Sequence, residues 1–592
     1  MLRRIVHWFL PALSAVAAGW MLVGDRGLAG DEPLAGYADY DAYRREMQSI
    51  GASKLATLES LGRTLGGREI YLLEIGTGKR DDKPAVLVVG GVHAPHLLGS
   101  ELAVRLARRL VDRAAADKSV GKLLDRVTFY VIPRVSPDAT EACFRRPLFE
   151  RTTNERPVDD DGDGAIDEDG PDDLNGDGLI TMLRVEDPSG PYRLHPDDER
   201  IAIEADKKKD ERGRYALYVE GRDNDRDEKL NEDPPGGVDF NRNFTFRYPY
   251  RKPGAGRHQV SEVESRAVAD FAFAHPNVAV VVSFTPEDNL MHPWKPDAEA
   301  ERQRIKTTLL AGDARYFNHV ARRYRAIHGA KDAPKSPPGE GSFSDWAYFH
   351  YGRWSFACRG WWPVPTDPTT DRGDQRDGSE PEAGEQAKPT AKPQSDAGDR
   401  RGADERNALA WLAEKKIDGF VDWQPIEHPD FPSRKVEVGG FKPFVRLNPP
   451  EGELDALADK HGQFLEWLAG SLPRLAIGPT EAEALGHGVW RVRAVVENRG
   501  YLPTAPEMGR IAREPHPLQI AIDLPRGAKL VTGHARVQLP ALAGEGGRAE
   551  HTWLAFVPPG AKSLRVRAWS PSVGRAVAAV PLAVEQTEPE TR

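Results

Sequence analysis

Short apolar runs alternate with amphipathic stretches through the first three hundred residues, and that alternation predicts an α/β sheet. Ala85 to Val89 is wholly apolar and ends in Gly90 and Gly91, as a strand buried on both faces requires. Val127 to Ile132 and Val278 to Phe284 repeat the pattern, the second after a helical segment from Val260 to Ala274. From Tyr37 to Lys118 the order reads helix, strand, strand, helix. In the last of these, Leu102, Leu106 and Leu110 share one face, Arg105, Arg108 and Arg109 point elsewhere, and Ser100 is placed to cap the start. Further helical patterns cover Ala408 to Lys415 and Glu453 to Leu472. From about Ala476 the chain becomes short alternating segments, Val489 to Val496, Leu518 to Ile522 and Leu564 to Ala568, broken by Gly and Pro. That is the pattern of a small β-sandwich.

Two stretches interrupt the α/β region. Val158 to Asp233 is crowded with Asp, Gly and Asn, whereas Thr366 to Glu405 is rich in Pro, Gly and charge, has no periodicity and reads as a disordered loop. The expected organisation is therefore an α/β domain over 35–475 with inserts at 158–233 and 366–405, then a β-sandwich domain over 476–592. The first thirty residues read as an export signal. Arg3 and Arg4 precede a largely apolar stretch from Ile5 to Val23, and Gly27 and Ala29 offer a cleavage site. An uncleaved anchor is the competing reading, because the apolar stretch is nearly long enough to span a bilayer. With cleavage, no stable membrane span remains, and the protein is periplasmic, cell-surface or secreted.

Composition narrows the classes. A net charge of −10 argues against a general nucleic-acid binder, which needs basic patches undiluted by carboxylates. Two cysteines, Cys143 and Cys358, are too few for a disulfide-held scaffold, although one bridge between them stays open.

Candidate chemistry gathers at the ends of the apolar runs. His93 and His96 follow the first, in Gly91-Val92-His93-Ala94-Pro95-His96, and imidazoles are ready zinc ligands. Ile132-Pro133-Arg134 ends the second. Val238-Asp239-Phe240-Asn241-Arg242 supplies an amide beside a guanidinium, whose planar fork suits a carboxylate and stays charged at any relevant pH. Val281-Val282-Ser283-Phe284-Thr285 ends the third run. Finally, Gly341-Ser342-Phe343-Ser344-Asp345-Trp346 leads to Ser355-Phe356-Ala357-Cys358-Arg359.

In their order and context these pieces resemble the carboxypeptidase A-like zinc carboxypeptidase family over Ala35 to Arg474, especially its long bacterial members with an acidic insert. The resemblance implies a mixed sheet flanked by helices and a catalytic zinc. It makes Arg134 the group that polarises the scissile carbonyl, and Asn241 with Arg242 the grip on a peptide's terminal carboxylate. Family members read His-x-x-Glu where this chain has His93 and His96, His where it has Thr285, and a general-base Glu where it has Arg359. Two zinc ligands are thus retained in some form, the third is replaced by a poor one, and the base is replaced by a cation that cannot accept a proton. At about 4 Å and an effective dielectric of about 20, two unit charges interact by roughly 4 kcal/mol, and a dication doubles that. Arg359 would oppose zinc, and together with Arg134 and Arg242 it would attract an anion. The reading is an exported, non-catalytic protein that binds a peptide or other anionic small ligand. The alternative is an active zinc metallocarboxypeptidase with rearranged ligands, in which His292 could supply one; a calcium-stabilised scaffold with a vestigial pocket is the third possibility.

Calcium enters through the first insert. Asp159, Asp161 and Asp163 with Gly164, then Asp173, Asn175 and Asp177 with Gly178, place oxygens at alternate positions with Gly sixth, like the first half of a calcium loop. Asp223, Asp225 and Asp227 form a weaker copy. The bidentate Glu at the twelfth position is missing, since Gly170 and Arg184 stand there, and a solvated acidic loop is the competing reading. Nothing in the sequence names a partner for the β-sandwich.

Overall fold

The computed structural model describes residues 34–160, 162–336, 339–364 and 397–582, so the expected signal at 1–30, Asp161 and most of the second insert lie outside the described residues. A six-stranded mixed sheet forms the centre of the first domain. In chain order its strands are β1 (Ala56–Arg63), β2 (Glu69–Ile75), β3 (Ala85–Val89), β4 (Thr128–Ile132), β5 (Val278–Phe284) and β6 (Trp354–Cys358). Their spatial order is β1-β2-β4-β3-β5-β6. The β1/β2 and β2/β4 pairs are antiparallel, while β4, β3, β5 and β6 run parallel. Every residue of β3, β4, β5 and β6 is buried, because helices cover both faces of the sheet. On one side the helices Tyr40–Gly51, Leu97–Ala116, Ala311–His328 and Glu451–Gly470 pack onto it, and on the other Val263–Ala274 and Phe343–Phe349.

Three expectations are corrected here. The segment from Tyr37 to Lys118 holds three strands between its helices, not two. Its second helix begins at Leu97, so Ser100 lies inside the first turn, and the hydroxyl of Ser100 accepts from Arg134 instead of capping. The C-terminal part of the expected irregular stretch, from Ala397, belongs to a helix that continues to Lys415.

The acidic insert holds more regular structure than its composition suggests. Its strands Met182–Glu186, Tyr192–His195, Asp198–Glu204 and Tyr215–Val219 join Phe420–Ile426 and Val436–Phe441 in a second six-stranded sheet. Leu183, Val185, Val436 and Val438 form its small core. Residues 475–581 form two packed four-stranded sheets. One contains Leu475–Gly486, Val489–Asn498, Arg548–Phe556 and Lys529–Thr532; the other contains Arg536–Gln538, Gln519–Asp523, Ser563–Ser570 and Gly574–Pro581. Inward residues such as Val492, Ala494, Val496, Val566 and Ala568 alternate with exposed ones, as a sandwich requires. No described helix is long and apolar enough to cross a membrane.

Candidate functional site

Parallel strands deliver their C-terminal ends to one edge of the sheet, where ligands gather in open α/β folds. The close approach at the end of β3 depends on glycine. A Cβ on Gly90 would stand 2.5 Å from the carbonyl oxygens of both Gly99 and Pro133, and Gly91 has φ +67°. The turn that follows carries His93 and His96 into the helix Leu97–Ala116. At the end of β5, the Thr285 amide donates to Cys358 O at the end of β6, which places Thr285 beside Arg359. Asp288 fastens this corner, its carboxylate accepting from the amides of Leu290, Met291 and Arg359 at 2.8, 2.6 and 3.1 Å.

His96 is fully buried, with Nε2 2.9 Å from Arg359 O. A carbonyl only accepts, so Nε2 carries the proton and offers no lone pair. Its Nδ1 is shielded and has no hydrogen-bond partner, as is true of the Thr285 hydroxyl. Burial, with the nearby Arg359 charge, holds the pKa of His93 down to about 4; burial, with the charges of His93 and Arg359, holds that of His96 down to about 3. The Arg359 guanidinium donates through Nε and Nη2 to Pro286 O at 3.3 and 3.2 Å. Among the described residues, no group of three His, Cys, Asp or Glu within ligating reach of one another includes His93 or His96. The residues at these strand ends therefore do not fit a three-ligand zinc centre. His292 does not complete it, since its Nε2 bonds Ala333 O at 2.9 Å.

Arg134 departs from its expected place. Its side chain is 1% exposed and lies under the helix Tyr40–Gly51, with Cζ 4.4 Å from the centre of the Tyr43 ring. Nε donates to Ser100 Oγ and Nη2 to Ala38 O, while Nη1 is shielded with no partner.

Asn241 and Arg242 sit in a single turn, Phe240–Arg242, capped by Asp239, whose carboxylate accepts from Asn241 N at 2.7 Å. Asn241 Oδ1 accepts from Phe343 N at 3.0 Å, which ties the pair to the helix Phe343–Phe349. Arg242 Nε is shielded with no partner, and Arg242 makes no ion pair among the described residues. The segment Thr285–Asp288 spans the two halves, Pro286 taking Arg359 while Glu287 accepts from Ser344 Oγ at 3.3 Å.

Glu287 and Asp345 escape the sequence reading; an acidic residue just beyond an apolar strand run was the available signal for the first. Burial, then the charge of Asp345, pushes Glu287 up to about 8 despite hydrogen bonds from Asn241 and Ser344. Burial pushes Asp345 up to about 7 and Asp239 up to about 6. Beside Arg359 lies a cavity of about 560 Å³, lined also by Lys335, Arg446, Glu150, Asp332 and Glu405. Cys143 and Cys358 are both buried and free, so the open disulfide is not formed.

In the insert, Asp159 accepts from the amides of Gly162 and Gly164, and Asp173 from those of Gly176, Asp177 and Gly178. Asn175 and Asp177 bond each other at 3.0 Å. Among the described residues the weaker copy brings its own carboxylates within common reach, Asp223 with Asp225 and Asp227, while Asp163 reaches Glu168 and Asp225, and Asp169 reaches Asp225 and Glu232.

A family model described as zinc carboxypeptidase matches residues 43–160 and 212–361, the segments that build the central sheet and its strand-end site. The chain belongs to the zinc carboxypeptidase family. A second family model, described as a domain of unknown function, matches residues 474–581. Among relatives, carboxypeptidase B of Astacus astacus is 30% identical over 119 residues, which is 20% of this chain and 38% of that one. The inactive metallocarboxypeptidase of Saccharomyces cerevisiae is 33% identical over 107 residues, 17% of this chain and 25% of that one. The alignments thus span well under half of either relative. Carboxypeptidase A from Helicoverpa armigera, a solved structure, is 14% identical, with 54% of this chain and 63% of that one covered at a TM-score of 0.32. Zinc is the metal this family membership implies.

Proposed function

We propose that this zinc carboxypeptidase family protein binds peptides through their terminal carboxylate and does not hydrolyse them. One observation carries the reading: among the described residues no group of three His, Cys, Asp or Glu within ligating reach of one another includes His93 or His96, and the Arg359 guanidinium occupies the corner where a base would be needed. Arg242, with no ion pair among the described residues, supplies the grip on the carboxylate, and Asn241 steadies it from the same turn. A charge-assisted hydrogen bond of this kind contributes roughly 1.5–3 kcal/mol, so Arg242→Ala should weaken binding of a free-acid dipeptide about tenfold or more. Calorimetry with the free-acid and amidated forms of one dipeptide tests this. Equal affinity for the two forms in the native protein would sink the proposal. Release of the C-terminal residue in the presence of zinc, lost in His93→Ala, would instead establish an active metallocarboxypeptidase.

Export and calcium binding belong to the same proposal. Export is supported by the basic start and apolar run of the first thirty residues, and is tested by N-terminal sequencing of the mature protein, an intact Met1 counting against cleavage. Calcium in the insert is supported by three carboxylate oxygens, Glu168 Oε2 and both of Glu232, that are shielded from solvent and lack a hydrogen-bond donor.

A further inference from the structure

Away from the strand-end site, a cavity of about 520 Å³ lies where the family domain meets the β-sandwich. The loop between β2 and β3 contributes Lys79 and Lys83, and the turn before β4 contributes Arg126. From the sandwich side come Arg474, just before its first strand, and Arg575, the second residue of its last strand. The two parts touch at this point: a Cβ on Gly574 would stand 3.3 Å from Pro84 Cδ.

Five cations and two carboxylates, Asp82 and Asp125, line this space in a chain whose net charge is −10. Elsewhere on the surface arginines are commonly paired, as Arg109 is with Glu466 and Arg493 with Glu550. Lys79, Arg126, Arg474 and Arg575 make no ion pair and no side-chain hydrogen bond among the described residues. One of the two carboxylates is already engaged, Asp125 accepting from Thr77 Oγ1 at 2.7 Å. Lys83 is held in place, donating to Thr77 O at 2.5 Å and Leu124 O at 2.7 Å, which leaves its third N–H available. Like charges assembled in a concave space repel one another unless an anion joins them.

We propose that this junction is a binding site for a small multivalent oxyanion, a phosphorylated or sulfated molecule no larger than a sugar phosphate. Guanidinium forks match tetrahedral oxyanions, and the volume lies in the range of small-molecule sites. Because both domains contribute cations, the ligand binds the docked arrangement alone and stabilises it by mass action. Burial holds Lys83 down to about 8, and an anion beside it raises that value, so binding weakens as the pH rises above 8.

The test is calorimetric titration of the full chain with inorganic pyrophosphate, sulfate and citrate at constant ionic strength. Pyrophosphate is expected to bind one to one. Arg474→Glu with Arg575→Glu should lower its affinity at least tenfold, while the exposed control Arg491→Glu leaves it unchanged. Lys79→Glu, in an exposed loop, guards against misfolding of the double variant and should lower affinity severalfold alone. Sulfate binding as tightly as pyrophosphate would identify a sulfated ligand within the same class. No saturable heat, full affinity in both cavity variants, or citrate binding as tightly as pyrophosphate would overturn the proposal.

Discussion

At the scale of single residues, Arg359 and His96 decide what the strand ends can hold. A carboxylate at the end of β6 could accept a proton and attract a metal; a guanidinium bonded to Pro286 O can do neither, and the Arg359 backbone carbonyl accepts a hydrogen bond from His96 Nε2. The two acids between Arg359 and Arg242 respond differently, because burial favours their neutral forms. Glu287 and Asp345 have folded pKa values raised to about 8 and about 7 from ordinary values near 4. An acid whose folded pKa is raised contributes stability that is fully present below its unfolded pKa and is lost as pH rises through the folded one. The melting temperature should therefore fall between about pH 4.5 and pH 8, and Glu287→Gln should flatten that fall. A Glu287→Gln profile that overlays the native one would refute the assignment. The residue scale was also the least readable from sequence. Arg134 carries the right residue type at a strand end, yet its contacts are with Tyr43 on the helix Tyr40–Gly51 and with Ala38 just before it, almost a hundred residues earlier.

Elements were more readable where burial is uniform. β3 coincides with a wholly apolar run and β5 with one interrupted only by Ser283, because a parallel strand covered on both faces has few polar positions to blur its limits. The second sheet escaped because its strands are short, carry charged residues such as Arg184 and Glu186, and are held together across the insert by one pairing, Met182–Glu186 with Val436–Phe441, between segments more than two hundred residues apart. The start of helix 397–415 is hard to read from sequence because its first turns share the composition of the residues before it. The insert adds a prediction of its own. Carboxylate oxygens of Glu232 lacking donors should be satisfied by a hard cation that prefers oxygen ligands, so calcium should raise the unfolding temperature and Glu232→Gln should abolish the rise. Thermal scans with calcium and with chelator measure it, and identical scans would refute a calcium site.

For the whole molecule, the sandwich is fastened to the family domain by a buried carboxylate. Asp313, 2% exposed in the helix Ala311–His328, accepts from the amides of Glu507 and Met508 at 2.8 and 3.2 Å and from Tyr348 OH at 2.8 Å. The His319 ring stacks on Tyr501 at 3.9 Å beside it. Asp313→Ala leaves three donors without an acceptor and should cost about 1–3 kcal/mol, splitting one calorimetric transition into two. A single, unshifted transition would show that Asp313 is not what couples the domains. The central claim nevertheless concerns metal. Zinc content of the full chain, measured by mass spectrometry after zinc loading and desalting, should be the same in the native protein and in His93→Ala, with nothing held at the strand ends. One zinc per chain that disappears in His93→Ala would contradict the account.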